Sequence, residues 1–169
     1  MDIRRRYTRK VINQTFFSLL KKRDIDKVTV SEICKECNIN RSTFYRNYHD
    51  IYDIVDQFFQ EITTEILKSF SSDDLSMDQK FTLVFSKLYE HKDSFMLLKK
   101  KGLLKRLNSP IFNATNHAFG NNFSSSEWYF LFYGFSGLIK YWFDQDMNVS
   151  VSEMSKISMN LFSKFISSK

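Results

Sequence analysis

The 169-residue chain is poor in residues that bend a backbone, with four glycines and one proline, and it has only two cysteines and three histidines. So few Gly and Pro leave little material for tight turns and favour long helices. No segment alternates apolar and polar residues between turn signals, which argues against strands. An all-α chain is therefore expected. The three histidines have no Cys, Ser or carboxylate motif beside them. That leaves no nucleophile-base arrangement, and no enzyme is expected. Long apolar runs are also missing. The most apolar stretch, residues 128–143, is interrupted by Lys140, Ser136 and two glycines and falls short of the ~20 residues that a membrane span needs. A helix apolar on nearly every side belongs in a core or against a partner. The basic N-terminus has no apolar segment behind it of the kind a secretory signal requires, so the cytoplasm is the expected location.

What the chain does have is ample core material, 43% hydrophobic and 17% aromatic, and an uneven charge. Residues 1–50 hold 12 Lys and Arg against 6 Asp and Glu, whereas residues 51–169 hold 13 of each. The whole net charge of +6 thus lies in the first 50 residues. A basic patch confined to one segment is the footprint expected of phosphate binding, and solubility alone does not require it.

The same segment contains VTVSEICKECNINRSTFYRNYHD, Val28 to Asp50. Thr29 suits an N-cap, with Glu32 at the spacing of a capping box, so a short helix is expected from Val30. Ile33, Cys34 and Cys37 share one face of it. Asn38 tolerates the left-handed conformation that a tight interhelical turn demands. Ile39 plugs the turn, and Asn40 can cap a second helix from about Arg41 to Tyr48. Phe44 and Tyr48 face inward on that helix, leaving Arg41, Ser42, Thr43, Tyr45 and Arg46 outside. Arg can bond guanine bidentately, Ser and Thr can bond base edges or phosphates, and a Tyr hydroxyl can reach a phosphate. The pattern is that of a helix-turn-helix.

These residues resemble the N-terminal domain of the TetR (tetracycline-repressor-like) family, whose hallmark runs roughly Thr-Val-x-x-Ile-x-x-x-Ala-Gly-Val-x-x-x-Thr-Phe-Tyr-x-x-Phe. Thr29, Val30, Ile33, Ile39, Thr43, Phe44 and Tyr45 match it, with Cys37 for Ala, Asn38 for Gly and Tyr48 for the last aromatic. Thr8, Arg9, Ile12, Phe16, Leu19 and Leu20 match the family's first helix, so the resemblance covers about residues 8 to 60. The Lys common at the start of the family's fourth helix is Ile51 here. The resemblance implies a homodimeric regulator, most often a repressor, on a near-palindromic double-stranded DNA operator. Ser42, Thr43 and Arg46 would meet bases, and Arg41 either bases or phosphates. Thr29, Tyr45 and His49 would hold phosphates. The alternative is a TetR-fold adaptor or coactivator that works by protein contact without binding DNA.

Around this core, a first helix is expected from about Arg5 to Lys22. Arg4, Arg5 and Arg6 would form a basic arm that either lies on DNA or is simply solvated. A fourth helix capped by Asp50 carries Ile51, Ile54, Val55, Phe58, Phe59, Ile62, Ile66, Leu67 and Phe70. Residues 71–78 read as a linker. Helices follow at 77–90, at about 95–101 up to Gly102, from Ser109-Pro110, and at about 126–144 and 151–166. The expected division is a helix-turn-helix domain, residues 1–50, and a C-terminal helical domain, residues 51–169, for dimerisation and effector binding. The family packs its last two helices against their mates, which implies an interface of Phe135, Leu138, Trp142, Met154, Ile157, Leu161 and Phe165. Gly134, Gly137, Trp142 and Met147 also resemble a Gly-x-x-Gly-x-x-x-x-Trp-x-x-x-x-Met pattern of a TetR subgroup. Phe, Tyr and Met in this half can line a cavity for an apolar small-molecule effector, with His91, Asn113, Asn116 and His117 as its nearest polar groups.

The Cys34-Lys35-Glu36-Cys37 spacing can serve a zinc half-site or a redox pair. There is no second such pair, the histidines are scattered, and both cysteines point inward, so buried small residues are expected and neither metal nor cofactor. Lys99-Lys100-Lys101 reads as a solvated helix end.

Overall fold

A computed structural model of the chain describes residues 3–70, 74–107, 115–116 and 124–166, with backbone alone at 69, 70, 165 and 166. The described residues form eight α-helices and no strand: α1 Ile3–Lys22, α2 Val30–Glu36, α3 Arg41–Tyr45, α4 Ile51–Phe70, α5 Met77–Glu90, α6 Lys92–Lys100, α7 Ser125–Asp144 and α8 Val151–Ile166. Short 3-10 turns lie at Ile25–Lys27 and Leu104–Leu107. None of these helices is long and apolar enough to cross a membrane. The helix expected from Ser109-Pro110 falls outside the described residues.

Three helices end the same way. After α2, α6 and α7 the chain turns into the left-handed region at Asn38 (φ 51°), Gly102 (φ 67°) and Asp146 (φ 52°). In each case the next amide bonds back to a carbonyl five residues earlier: Ile39 to Cys34, Leu103 to Leu98 and Met147 to Trp142, all at 2.9 Å. This is the Schellman closure, which satisfies carbonyls that a helix end would leave orphaned. Only one of the three uses Gly. Asn and Asp tolerate the same backbone through their short polar side chains.

Buried side chains form one continuous cluster through both halves. Phe17 of α1 meets Phe58 of α4 at 5.2 Å, Phe58 meets Phe95 of α6 at 5.7 Å, and Phe95 meets Phe143 of α7 at 5.0 Å. Trp142 is wholly buried, edge-on to Phe85 at 5.2 Å, and its indole N–H donates to the Val149 carbonyl at 2.8 Å. Helices α5 and α8 pack along the small buried residues Ser155 and Ser158. The Ser155 hydroxyl meets the Thr82 hydroxyl at 2.8 Å, and Ser158 donates to the Met154 carbonyl, so neither is left unsatisfied.

The lysine run departs from the solvated helix end expected of it. Lys99 Nζ donates to the Phe143 carbonyl and to Asp146 Oδ1, both at 2.8 Å, and so caps the C-terminus of α7. Lys101 crosses to Asp24 at 2.7 Å, next to the first 3-10 turn. Nearby, Asp56 of α4 takes both arms of the Arg106 guanidinium, which stacks over the Tyr52 ring, and the Tyr52 hydroxyl donates to Asp26.

The lysine hydrogen bonds hold the Asp24 and Asp146 carboxyls below the ordinary value of 3.8. A carboxyl depressed on folding stabilises the fold above its unfolded value, and that contribution disappears as pH falls through the folded value. Urea midpoints should accordingly drop between about pH 5 and about pH 2. The Asp24→Asn, Asp146→Asn double variant should show a shallower drop, and equal slopes would mean that the two pairs contribute nothing.

Candidate nucleic-acid interface

Helix α2 starts at Thr29, whose side chain accepts from the Glu32 amide. The reciprocal half of the expected capping box is not made. The Glu32 carboxylate instead pairs with Arg23 at 2.8 Å, tying α2 to the end of α1. Ile33 and Cys34 are buried and Cys37 is half-buried, as the apolar stripe requires. Both cysteines are free, and burial pushes both thiols up. The Cys37 thiol also contacts Thr15 Oγ1 at 3.2 Å. Thiols held protonated in this way are poor metal ligands and poor nucleophiles.

Past the Asn38 turn, Asn40 caps α3 through its side-chain oxygen, which accepts from the Thr43 amide at 2.9 Å. Helix α3 ends at Tyr45, three residues before the expected end, and Arg46 and Asn47 form a turn. The segment keeps its place because Phe44 and Tyr48 are buried. Tyr48 donates to Asn13 at 2.7 Å and lies under the Arg9 guanidinium, itself paired with Glu61. From α4, Gln57 donates to the Asn47 carbonyl at 3.2 Å and to Asp53 at 2.8 Å. Asp50 caps α4 by accepting from the Asp53 amide, while Asp53 accepts from the His49 amide at 2.7 Å. Ile51, where the family often has Lys, packs against the core.

The outward set is therefore held rigidly from behind. Arg41, Ser42, Tyr45, Arg46 and His49 are exposed, and Thr43 is half-buried. The Arg41 guanidinium lies 6.0 Å from the Tyr45 ring centre and reaches its hydroxyl at 3.4 Å. Arg46 folds back along the helix, with Nη2 donating to Thr43 Oγ1 at 3.1 Å. Thr29 is also exposed. Arg4, Arg5 and Arg6 do not form an extended arm, because α1 already begins at Ile3 and they occupy its first turns. Arg5 donates to the Arg46 carbonyl at 3.3 Å, which brings this basic turn alongside the end of α3. The Arg5 contact has no sequence signal, since it joins positions 41 residues apart.

Residues 17–58 match the model of the bacterial regulatory proteins of the tetR family. The fold is similar to the crystal structure of a TetR transcriptional regulator from Streptococcus agalactiae 2603V, with a TM-score of 0.63 and 20% identity over 94% of each chain. The helix-turn-helix segment belongs to the TetR family. The chain is also similar in fold to the dihydroxyacetone kinase operon activator DhaS, with a TM-score of 0.57 and 15% identity over 95% of each chain. Among curated proteins it is 26% identical over 109 residues to the uncharacterized HTH-type transcriptional regulator YxbF of Bacillus subtilis (strain 168). That alignment takes in 60% of this chain and 29% of YxbF.

The surfaces expected in the second half are rearranged. Trp142 and Met154 are fully buried in the chain's own core, and Phe135 packs against Phe81 at 5.5 Å and Phe85 at 5.9 Å. Leu138 and Ile157 also lie against the core, Leu161 is exposed, and the side chain of Phe165 is outside the described residues. The most apolar sides of α7 and α8 are used within the chain. Of the expected pocket groups, His91 is half-buried, edge-on to Phe58 at 5.5 Å, and Asn116 is exposed. Asn113 and His117 lie outside the described residues.

The turn gives a direct stability test. Asn38→Gly should leave the urea midpoint unchanged or raise it. Asn38→Val should cost about 1–2 kcal/mol because a β-branched side chain is forced into the left-handed region. Equal midpoints for the two variants would remove the backbone argument.

Proposed function

We propose that this chain is a homodimeric, sequence-specific DNA-binding regulator of transcription, a repressor, acting on a near-palindromic operator and released by a small apolar effector. The observation that carries the DNA reading is the exposed set Arg41, Ser42, Thr43, Tyr45 and Arg46 on a helix whose back is locked by Phe44 and Tyr48. The basic first turn of α1 is docked beside it through Arg5 and Arg46. In this reading α3 enters the major groove. Arg46, Ser42 and Thr43 face base edges, Arg41 meets bases or phosphates, Thr29, Tyr45 and His49 meet phosphates, and Arg4 to Arg6 neutralise the flanking backbone. Residues 1–50 form the reading unit and residues 51–169 the dimerisation and effector unit of a cytoplasmic protein. The tetR match of residues 17–58, the likeness to YxbF and the fold shared with TetR structures support this reading.

The dimer face we assign is the outer flank of α7, with Tyr129, Phe130, Tyr133 and Tyr141 each about half-exposed or more, joined by Leu161 of α8. Gly134 and Gly137 lie in the same stripe, and among the described residues nothing lies within 4 Å of a Cβ on either. A second helix can therefore approach closely there. Tyr133→Lys with Phe130→Lys should convert a dimer to a monomer in sedimentation at micromolar concentration without loss of helicity. A wild-type monomer would refute the dimer.

DNA reading is tested by titrating the chain against an operator drawn from a random-sequence duplex pool at about 50 and about 200 mM salt. Affinity should fall steeply with salt. Arg46→Ala should relax preference at one position per half-site by about 1–3 kcal/mol, whereas Tyr45→Phe should weaken all sequences alike. Binding that is indifferent to both salt and sequence would point instead to an adaptor acting through protein contacts.

A further inference from the structure

Three donors converge on one oxygen at the start of α3. Asn40 Oδ1 accepts from the Thr43 amide at 2.9 Å, from Ser42 Oγ at 2.8 Å and from Thr43 Oγ1 at 2.7 Å. Because the backbone amide can only donate, the Asn40 atom facing it has to be the oxygen, which settles the orientation of the amide. That oxygen can only accept, so both hydroxyl protons are directed at it. A hydroxyl carries one proton and two lone pairs. Thr43 Oγ1, which also accepts from Arg46 Nη2 at 3.1 Å, has one lone pair left and is half-buried. Ser42 is exposed, has spent its proton and presents only lone pairs outward.

In the major groove, adenine and cytosine offer amino donors at N6 and N4, whereas guanine offers only the N7 and O6 acceptors and thymine the O4 acceptor and its methyl group. Resting on the DNA-reading role given above, we propose that Asn40, which itself need not touch DNA, fixes the hydrogen-bond polarity of α3. It makes Ser42 an acceptor that selects a base bearing a major-groove amino group, adenine or cytosine. Asn40 is a positioning residue, and Ser42 is the residue that reads.

Selection from a random-sequence duplex pool with the full chain, Ser42→Ala and Asn40→Gly tests this, with circular dichroism confirming that each variant is folded. Gly is the mildest replacement at an N-cap. The position that loses its preference in Ser42→Ala should be adenine or cytosine in the wild type, and Asn40→Gly should admit guanine and thymine there. Replacing that base by its analogue lacking the exocyclic amino group, purine or 2-pyrimidinone, should weaken the wild type by about three- to tenfold and leave Ser42→Ala unchanged. This arm stands even if Asn40→Gly does not fold. A Ser42-dependent position that is guanine or thymine, no dependent position at all, or an unaltered preference in folded Asn40→Gly would overturn the inference alone. No enriched sequence for the wild type would overturn the DNA-reading role, and the inference with it.

Discussion

A helix of five residues cannot hold its own shape in water, because nucleation fixes several residues before enough hydrogen bonds repay the cost. The arrangement around α3 answers that constraint. Phe44 and Tyr48 are buried beneath it, Asn40 closes its first turn, and Gln57 and Asp53 of α4 hold the chain that leaves it. The second constraint is the angle of entry, set by the left-handed residue Asn38 and by Ile39 pressed into the core. With both ends and the back fixed, the outer side chains are displayed at little ordering cost on contact with a partner.

Most of this was legible because it is local. The roles of Thr29, Asn38 and Asn40, and the inward facing of Phe44 and Tyr48, follow from spacings of five residues or fewer, where cap and turn chemistry and helical periodicity operate. The same holds for α4, α5 and α8, whose bounds agree with the periodic pattern. Apart from the early end of α3 at Tyr45, what failed was non-local. The Glu32 carboxylate had two attractive partners, and the structure gives it to Arg23 rather than to the N-cap amide. Lys99 and Lys101 find their acceptors 44 to 77 residues away, so a run that reads as solvated turns out to be pinned.

The second half shows how an apolar pattern misleads about partners. Trp142 and Met154 were expected at a surface between copies because the resemblance implies packing of the last two helices there, and both are large apolar side chains. That same character makes a chain bury them first, here against Phe85 and the core around it. What remains outside on α7 is mostly amphipathic: beside Phe130 stand Tyr129, Tyr133 and Tyr141, whose rings favour contact and whose hydroxyls tolerate water. Among the described residues, nothing packs within 4 Å of where a Cβ on Gly134 or Gly137 would sit.

The aromatic series from Phe17 through Phe58 and Phe95 to Phe143 has a dynamic consequence. Phe44 and Tyr48 belong to the same buried cluster as Trp142 and Met154. Parts of a protein that open cheaply are those with few buried contacts of their own. The amides of α3 are few and lie near the surface, yet the side chains beneath them are shared with the whole molecule. In terms of hydrogen exchange, the reading segment should have no small opening unit to itself, and its protection should follow that of helices at the far end of the chain.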